Sequence, residues 1–123
     1  LLVGECDQIN LVEGFFDYEE KYNLITAEII LPAKISTEIK EDIQAQAKQL
    51  YQELGCKGLA RIDFFLTNQG EIFLNEINTM PGFTSHSRFP MMMRAIGISY
   101  QDIIKDLITL GEEDYNESVY HTN

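Results

Sequence analysis

A pair of short apolar segments joined by a turn-forming sequence constrains the fold of this chain more than any other feature. The segments are 61–66 (RIDFFL) and 71–78 (EIFLNEIN), and Asn68-Gln69-Gly70 lies between them. Both segments are rich in aromatic and β-branched residues, and the intervening residues are typical of turns. The sequence therefore predicts an antiparallel β-hairpin.

Four side chains of this hairpin are of types that bind metals or phosphates, and the register decides whether they meet. Side chains of a strand alternate between two faces, so Arg61 and Asp63 share a face, as do Glu76 and Asn78. If the Gln69-Gly70 pair forms a two-residue loop, Asp63 lies opposite Glu76 and Arg61 lies opposite Asn78. A three-residue turn would break that register.

The two opposed carboxylates point to a metal site. Carboxylates that face each other repel unless a cation lies between them, which predicts either a bound metal or a raised carboxyl pKa. We favour the metal, because Asn78 adds a neutral oxygen and oxygen-only ligand sets suit Mg²⁺ or Mn²⁺ that carries phosphates. Ordinary polar positions on the solvent-facing side of a sheet are the alternative, and spacing alone does not separate the two. Strict alternation would also put Ile72 and Leu74 on the face of Glu76.

The loop that follows the hairpin favours function. Residues 79–88 (TMPGFTSHSR) contain hydroxyl side chains with a Gly, a Pro and an Arg. Loops of this kind carry function more often than packing.

Three segments, in this order, resemble the carboxyl-terminal half of the D-alanine:D-alanine ligase family, which is an ATP-grasp family. They are 14–22 (GFFDYEEKY), 58–65 (GLARIDFF) and 74–88 (LNEINTMPGFTSHSR). The resemblance implies an α+β fold, the carboxyl-terminal half of an ATP-grasp fold, with a mostly antiparallel sheet packed against helices. We expect the catalytic lobe to span 1–110 and a polar, disordered tail to span 111–123.

The resemblance also implies a reaction. In this family ATP phosphorylates the carboxylate of a first D-alanine, and the amine of a second D-amino acid then attacks the acyl phosphate. ATP and two Mg²⁺ or Mn²⁺ ions are the implied cofactors, and D-alanine and D-serine are the implied substrates. The products are peptidoglycan precursors made in the bacterial cytoplasm.

Family roles carry over to the matched positions of the hairpin and the loop. Asp63, Glu76 and Asn78 match the metal ligands, and Glu76 can bridge both ions. Arg61 and the backbone N–H of Gly82 match the donors that stabilise the developing oxyanion. A glycine suits that position, because close approach of the backbone to substrate leaves no room for a Cβ atom.

Lys21 and Tyr22 match a mobile loop of the family. Lys21 would reach the transferred phosphoryl group when the loop closes, and Tyr22 would help to anchor the loop. Without the downstream motifs, a solvated lysine and a half-buried tyrosine would be the simpler interpretation.

Ser87 and Arg88 match positions that hold the carboxylate of the second substrate. The run 87–90 (SRFP) resembles the vancomycin-resistance branch of the family, and with the retained Lys-Tyr pair the chain is most similar to D-alanine:D-serine ligases. A preference for D-serine requires a partner for the extra hydroxyl, and Arg88 is our candidate. Asp7 would orient Arg88 through a bidentate pair, and Phe16 would close the apolar side of the pocket. A surface carboxylate and a small-cluster aromatic are equally simple interpretations of Asp7 and Phe16.

Other functions remain as alternatives. The nearest is a D-alanine:D-alanine ligase. A different ATP-grasp carboxylate-amine ligase should lack the loop from Gly82 to Arg88, and a non-enzymatic α+β binding module would show no metal-dependent contact with ATP.

Composition and chain start limit the partners. Nine basic residues against twenty acidic residues give a net charge of −11, which argues against nucleic-acid binding. Cys6 and Cys56 have no framework or metal spacing and are expected to be free thiols in a reducing cytosol. No apolar run approaches the ~20 residues that span a bilayer.

Since the chain begins inside an apparent strand at Leu1, we expect a fragment that lacks its amino-terminal lobe and is inactive alone. A homodimer of the full enzyme is left open.

Local signals predict the supporting elements. A strand is expected at 24–31, and a helix at 37–54, with Ser36 as N-cap and Gly55 at C′. An apolar stripe should pack this helix on the hairpin sheet and comprises Ile39, Ile43, Ala47, Leu50 and Leu54. A further helix should begin near Pro90 and end near Gly97, and Ser99 with Asp102 resembles a capping box for a last helix.

Overall fold

Four strands and three helices make up the part of the chain that the computed structural model describes, residues 1–11 and 27–121. The strands pair in two antiparallel two-stranded sheets, β1 with β2 and β3 with β4. The α+β class expected from the sequence is confirmed. The elements in chain order are β1 (Gln8–Leu11), β2 (Ala27–Ile30), α1 (Thr37–Glu53), β3 (Arg61–Leu66), β4 (Ile72–Asn78), α2 (Arg88–Arg94) and α3 (Tyr100–His121).

Helix α1 has the boundaries that its capping residues predict. The Ser36 hydroxyl accepts a hydrogen bond from the Ile39 amide at 3.2 Å, which satisfies one of the free N–H groups of the first turn. Gly55 follows the helix with φ of 65°, the left-handed conformation that favours glycine at this position. The stripe prediction is wrong at its last member, because Leu54 lies beyond the final helical residue and is 61% exposed.

The β3–β4 hairpin has the predicted pairs, with Arg61 opposite Asn78 and Asp63 opposite Glu76. The turn is not the predicted two-residue loop. The amide of Gly70 donates to the carbonyl of Thr67 at 3.0 Å, and the amide of Thr67 donates to the carbonyl of Glu71 at 2.9 Å. These bonds enclose a three-residue turn, 68–70, in which Gly70 has φ of 85°.

A β-bulge restores the register that this turn would otherwise break. Leu74 pairs with Phe64, whereas Glu76 pairs with Asp63, so one extra residue, Asn75, lies between the two pairs. Paired residues point to the same face of a sheet, and neighbours on β3 point to opposite faces. Ile72 and Leu74 therefore do not share the face of Glu76, contrary to strict alternation. The face of Asp63 and Glu76, here called the polar face, also carries Phe65 and its partner Phe73.

Helices α2 and α3 hold the small core of the described residues. Met93 of α2 is 8% exposed and Ile103 of α3 is 4% exposed. The expected capping box starts α3, because the Asp102 amide donates to the Ser99 hydroxyl at 3.1 Å and the Ser99 amide donates to the Asp102 carboxylate at 3.3 Å. Gly97 has φ of 90° and ends the α2 segment near the predicted place.

The tail expected to be disordered is helical as far as α3 extends. This helix continues past Gly111 to His121, and the Asp114 carboxylate accepts a hydrogen bond from the Lys57 ammonium at 2.8 Å. Propagation of an existing helix costs much less than nucleation, and glutamates at 112 and 113 are good helix formers. The low apolar content beyond residue 111 was therefore the wrong criterion for disorder. No helix within the described ranges has the length and apolar character needed to cross a membrane.

A cavity of about 620 Å³ lies where a larger core would be. Helix α1 was expected to pack on the hairpin sheet, but it contributes no fully buried side chain, and with β3 it lines this cavity. Side chains from all three helices and β3 face it, among them Ile43, Ala47, Ile62, Phe64, Met92 and Leu107. The described residues thus form a scaffold with an open apolar interior.

Candidate active site

The polar face of the hairpin brings four predicted site residues together. The Arg61–Asn78 and Asp63–Glu76 pairs are neighbours along the ladder and point to one side. The guanidinium of Arg61 donates two hydrogen bonds of 3.0 Å to the Asp63 carboxylate, Nε to Oδ1 and Nη2 to Oδ2, and both side chains are mostly buried. This ion pair compensates the Asp63 charge and leaves other N–H groups of Arg61 free to donate.

Three oxygen donors on this face fit a hard divalent cation. Among the described residues, the Glu76 carboxylate has no hydrogen bond or ion pair of its own. The Asn78 Oδ1 atom accepts a hydrogen bond from the Met80 amide at 3.1 Å, which orients the side-chain amide and leaves a second lone pair. Within residues 1–11 and 27–121 no cluster of three or more His, Cys, Asp or Glu could hold a metal. An ion held by Asp63 and Glu76 would find a further oxygen at Asn78 and could complete its shell with non-protein oxygens, as phosphate-carrying Mg²⁺ does.

The loop after β4 presents a backbone amide at Gly82. Gly82 is exposed, and its N–H has no acceptor within the described part of the chain. A Cβ atom at this position would lie 3.0 Å from Ser87 Oγ and 3.4 Å from Ser87 Cβ. The need for glycine therefore arises partly from a close approach to Ser87, and not only from the approach to substrate that the sequence suggested.

The Ser87 hydroxyl organises this loop from within. It accepts a hydrogen bond from the Thr84 amide at 3.0 Å and forms a second hydrogen bond of 2.8 Å with Thr84 Oγ1, in which either hydroxyl can be the donor. The Ser87 amide donates to the Thr84 carbonyl at 3.1 Å. Since a hydroxyl offers one donor and two acceptors, the Ser87 O–H is free to donate to a substrate carboxylate only when Thr84 Oγ1 is the donor of that bond. Its predicted substrate contact remains a prediction.

Arg88 and Asp7 form the bidentate pair that we expected. Arg88 Nε and Nη2 donate to the two Asp7 carboxylate oxygens at 2.8 and 2.7 Å. The Asp7 side chain is only 3% exposed and that of Arg88 is 23% exposed. The first residues of the chain reach this point because the Glu5 amide donates to the Met92 carbonyl of α2 at 3.1 Å. Arg88, the first residue of α2, therefore lies beside Asp7.

The electrostatic environment joins this pair to the hairpin. The hydrogen bonds to Asp7 raise the pKa of the Arg88 guanidinium above its ordinary value, against an opposing effect of burial. The negative charges of Asp7 and Asp63 add to the rise. The contribution of Asp63 is the smallest of these effects, and it indicates that the carboxylate of Asp63 acts on Arg88 through space.

Phe83 and Tyr100 show a contact that the sequence did not predict. The Tyr100 hydroxyl donates to the Phe83 carbonyl at 2.7 Å, and the two rings stack with centroids 4.7 Å apart. The only available signal was the position of Tyr100 directly after the Ser99 cap, which says nothing about a partner in the loop.

Three predicted residues, Phe16, Lys21 and Tyr22, lie outside the described residues, so their roles remain predictions.

Cys6 belongs to the described part of the chain and is a free, half-buried thiol. Burial, with a smaller effect of the Glu5 charge, raises the pKa of Cys6 to about 11. Cys56 is also free.

Comparison with known proteins identifies relatives of this chain. The family described as "D-ala D-ala ligase C-terminus" matches residues 1–109. The vancomycin C-type resistance protein VanC2 of Enterococcus casseliflavus is 59% identical over 114 residues, which cover 93% of this chain and 33% of that protein. A D-alanine–D-alanine ligase of Streptococcus thermophilus is 47% identical over 110 residues, which cover 88% of this chain and 31% of that protein.

A solved structure agrees with these matches. The VanG D-Ala:D-Ser ligase of Enterococcus faecalis superposes with a TM-score of 0.78 at 50% identity, over 89% of this chain and 32% of that protein. The chain therefore spans about a third of the length of the relatives that it matches.

Proposed function

This chain belongs to the D-alanine:D-alanine ligase family, and we propose that it forms the catalytic lobe of an ATP-dependent ligase that joins D-alanine to D-serine. The observation that carries the choice of D-serine is the bidentate Arg88–Asp7 pair beside the hairpin site. An oriented guanidinium can hydrogen-bond a serine hydroxyl, and a second substrate without that hydroxyl leaves the donor unpaired. The 50% identity to the VanG D-Ala:D-Ser ligase supports the same choice.

The proposed reaction has two steps. A carboxylate oxygen of D-alanine attacks the γ-phosphorus of ATP and ADP leaves, which gives an acyl phosphate. The amine of D-serine then attacks the acyl carbon, phosphate leaves, and the amine loses a proton. Mg²⁺ or Mn²⁺ held by Asp63, Glu76 and Asn78 would neutralise charge on the phosphate oxygens.

The chain's own groups act on the oxyanion of the second step. The Gly82 N–H and the free N–H groups of Arg61 are donors that stabilise a tetrahedral oxyanion when they are fixed in place before reaction. Asp63 holds the Arg61 guanidinium in position through two hydrogen bonds. Arg88, held by Asp7, would position the second substrate with its amine toward the acyl carbon.

The remaining two thirds of the polypeptide would supply the rest of the ATP and first-substrate sites. We propose that it also covers the apolar cavity, because a cavity of about 620 Å³ with this lining is unfavourable in water. A hydrophobic fluorescent dye should therefore bind the isolated 123-residue piece and not the whole protein. Strong dye binding to the whole protein would contradict this.

Product identity in the whole protein tests the proposal. With ATP, Mg²⁺ and an equal mixture of D-alanine and D-serine, mass spectrometry of the dipeptides should show mainly D-Ala-D-Ser. Such a dipeptide would be used in the bacterial cytoplasm to make modified peptidoglycan precursors. These precursors would confer vancomycin resistance.

A D-alanine:D-alanine ligase is the second candidate, favoured by the 47% identity to the Streptococcus thermophilus enzyme of that name. D-Ala-D-Ala as the main product in the same experiment would select it. Absence of any ATP-dependent dipeptide would contradict both candidates.

A further inference from the structure

We propose that Tyr100 is a positioning residue for the Gly82 amide, which makes the first turn of α3 part of the oxyanion-binding apparatus. The inference rests on the proposed function, in which the Gly82 N–H donates to the tetrahedral oxyanion. Tyr100 does not itself touch substrate in this account. It acts through Phe83, the residue that follows Gly82.

Two different contacts attach Phe83 to Tyr100. The Tyr100 hydroxyl donates a 2.7 Å hydrogen bond to the Phe83 carbonyl, and the rings stack with centroids 4.7 Å apart at an interplanar angle of 23°. The hydrogen bond fixes the main chain of Phe83 and the stack fixes its side chain. Together they determine the position and the orientation of this residue.

Gly82 needs such external restraint. A glycine has wider conformational freedom than any other residue, and Gly82 is exposed. On its amino-terminal side it follows Pro81, which is buried and whose ring fixes its own backbone φ. On its carboxyl-terminal side the restraint comes from Phe83. The direction of the Gly82 N–H is therefore set between a buried proline and a clamped phenylalanine.

The anchor itself is rigid. Tyr100 is the first residue of α3 and lies within the Ser99–Asp102 capping box, and Ile103 in the same turn is 4% exposed. A donor that is fixed before reaction stabilises a transition state without reorganisation, whereas a donor on a mobile loop does not. Tyr100 thus attaches an otherwise exposed loop to the packed core between α2 and α3.

Tyr51 provides a matched control. Its hydroxyl donates a 2.7 Å hydrogen bond to the Gly58 carbonyl, which is also a tyrosine bond to a loop carbonyl. Tyr51→Phe removes the same kind of bond at a place with no proposed part in the reaction. Its kcat should stay within twofold of wild type, and any change in melting temperature calibrates the structural cost of losing one such bond.

The test compares Tyr100→Phe, Tyr51→Phe and wild type in the whole protein. Tyr100→Phe should lower kcat roughly tenfold or more with KM for both amino acids within twofold, because loss of oxyanion stabilisation acts on the transition state and not on substrate binding. Affinity for a tetrahedral phosphinate analogue of the dipeptide should fall by the same factor. Phe83→Leu, which keeps the Tyr100 hydroxyl but removes the stack, should show the same pattern.

An activity-independent measurement keeps this proposal separate from the proposed function. The ¹⁵N NMR order parameter of the Gly82 amide should fall in Tyr100→Phe and stay unchanged in Tyr51→Phe. An unchanged order parameter and an unchanged kcat in a folded Tyr100→Phe protein would overturn the positioning role while leaving the ligase assignment intact. If wild type makes no dipeptide, the function fails, and the order parameter alone then decides whether Tyr100 orders Gly82.

Discussion

The guanidinium of Arg88 donates two hydrogen bonds, of 2.7 and 2.8 Å, to the carboxylate of Asp7, which lies 81 residues earlier in the chain. The pair joins the start of the chain to the first residue of α2, which follows the loop after β4. Removal of one member leaves the other as an uncompensated charge in a mostly buried place. This geometry makes Arg88 a fixed donor rather than a mobile surface arginine, and a fixed donor can select between substrates.

Loss of Arg88 should reduce substrate selectivity. In the whole protein, Arg88→Leu should lower the ratio of kcat/KM for D-serine to kcat/KM for D-alanine by at least roughly tenfold, because the serine hydroxyl loses its partner. Competition assays with both amino acids measure the ratio. A preference for D-serine that survives this substitution would refute the role of Arg88.

Loss of the Asp7 charge should reduce both selectivity and stability. Asp7→Asn keeps the shape of the side chain but leaves the Arg88 charge unpaired, which should cost about 2 kcal/mol in urea unfolding. The Lys57–Asp114 bridge is the control, because both of its side chains are mostly exposed. Lys57→Met should leave the unfolding midpoint nearly unchanged. Equal effects of the two substitutions would contradict the special status of the Asp7 pair.

The contact between Gly82 and Ser87 should be visible as energetic coupling. Gly82→Ala places a methyl group 3.0 Å from Ser87 Oγ and should destabilise the protein by about 1 kcal/mol. Ser87→Ala removes that oxygen, so the double variant should lose less stability than the sum of the two single variants. If chemical denaturation gives additive losses in the free energy of unfolding across this double-mutant cycle, the added methyl group does not clash with Ser87.

The burial of Cys6 should make stability depend on alkaline pH. Its pKa is raised to about 11 in the folded protein, from an ordinary value of 9.0, so the unfolded chain loses the thiol proton first. The contribution of Cys6 to the free energy of unfolding is complete below the pKa that this thiol has in the unfolded chain. It is lost as the pH rises from about 9 through 11. The loss amounts to about 1 to 2 kcal/mol, because the side chain is only partly buried. Cys6→Ala should lack this part of the decline and Cys56→Ala should retain it. Superimposable pH profiles of wild type and Cys6→Ala would disprove the assignment.

Local signals in the sequence predicted the boundaries of α1, because Ser36 and Gly55 act through hydrogen bonds and backbone angles within a few residues. The opposed pairs of the hairpin were also predicted, but for a partly wrong reason. The three-residue turn and the bulge at Asn75 shift the register in opposite directions, and only their combination puts Asp63 opposite Glu76. Alternation alone gives no signal for such a bulge.

Of the two tertiary contacts near the site, the sequence analysis predicted one and not the other. The Arg88–Asp7 pair was expected from the argument that a donor for the serine hydroxyl needs a partner to orient it, whereas the Tyr100–Phe83 clamp was not expected. It joins a loop to the first turn of α3, and no periodicity or cap of either segment encodes their contact. Polar composition does not predict the length of α3, because helix propagation requires no apolar stripe.

The most direct test of the hairpin as a divalent-metal site is the affinity of the whole protein for Mn²⁺, measured by electron paramagnetic resonance with a non-hydrolysable ATP analogue. Asp63→Asn and Glu76→Gln should each weaken Mn²⁺ binding by at least roughly tenfold, since each removes a charged oxygen ligand from the same face. Asp114→Asn, a remote acidic residue of α3, should bind Mn²⁺ as wild type does. Wild-type affinity in both hairpin variants would contradict the account.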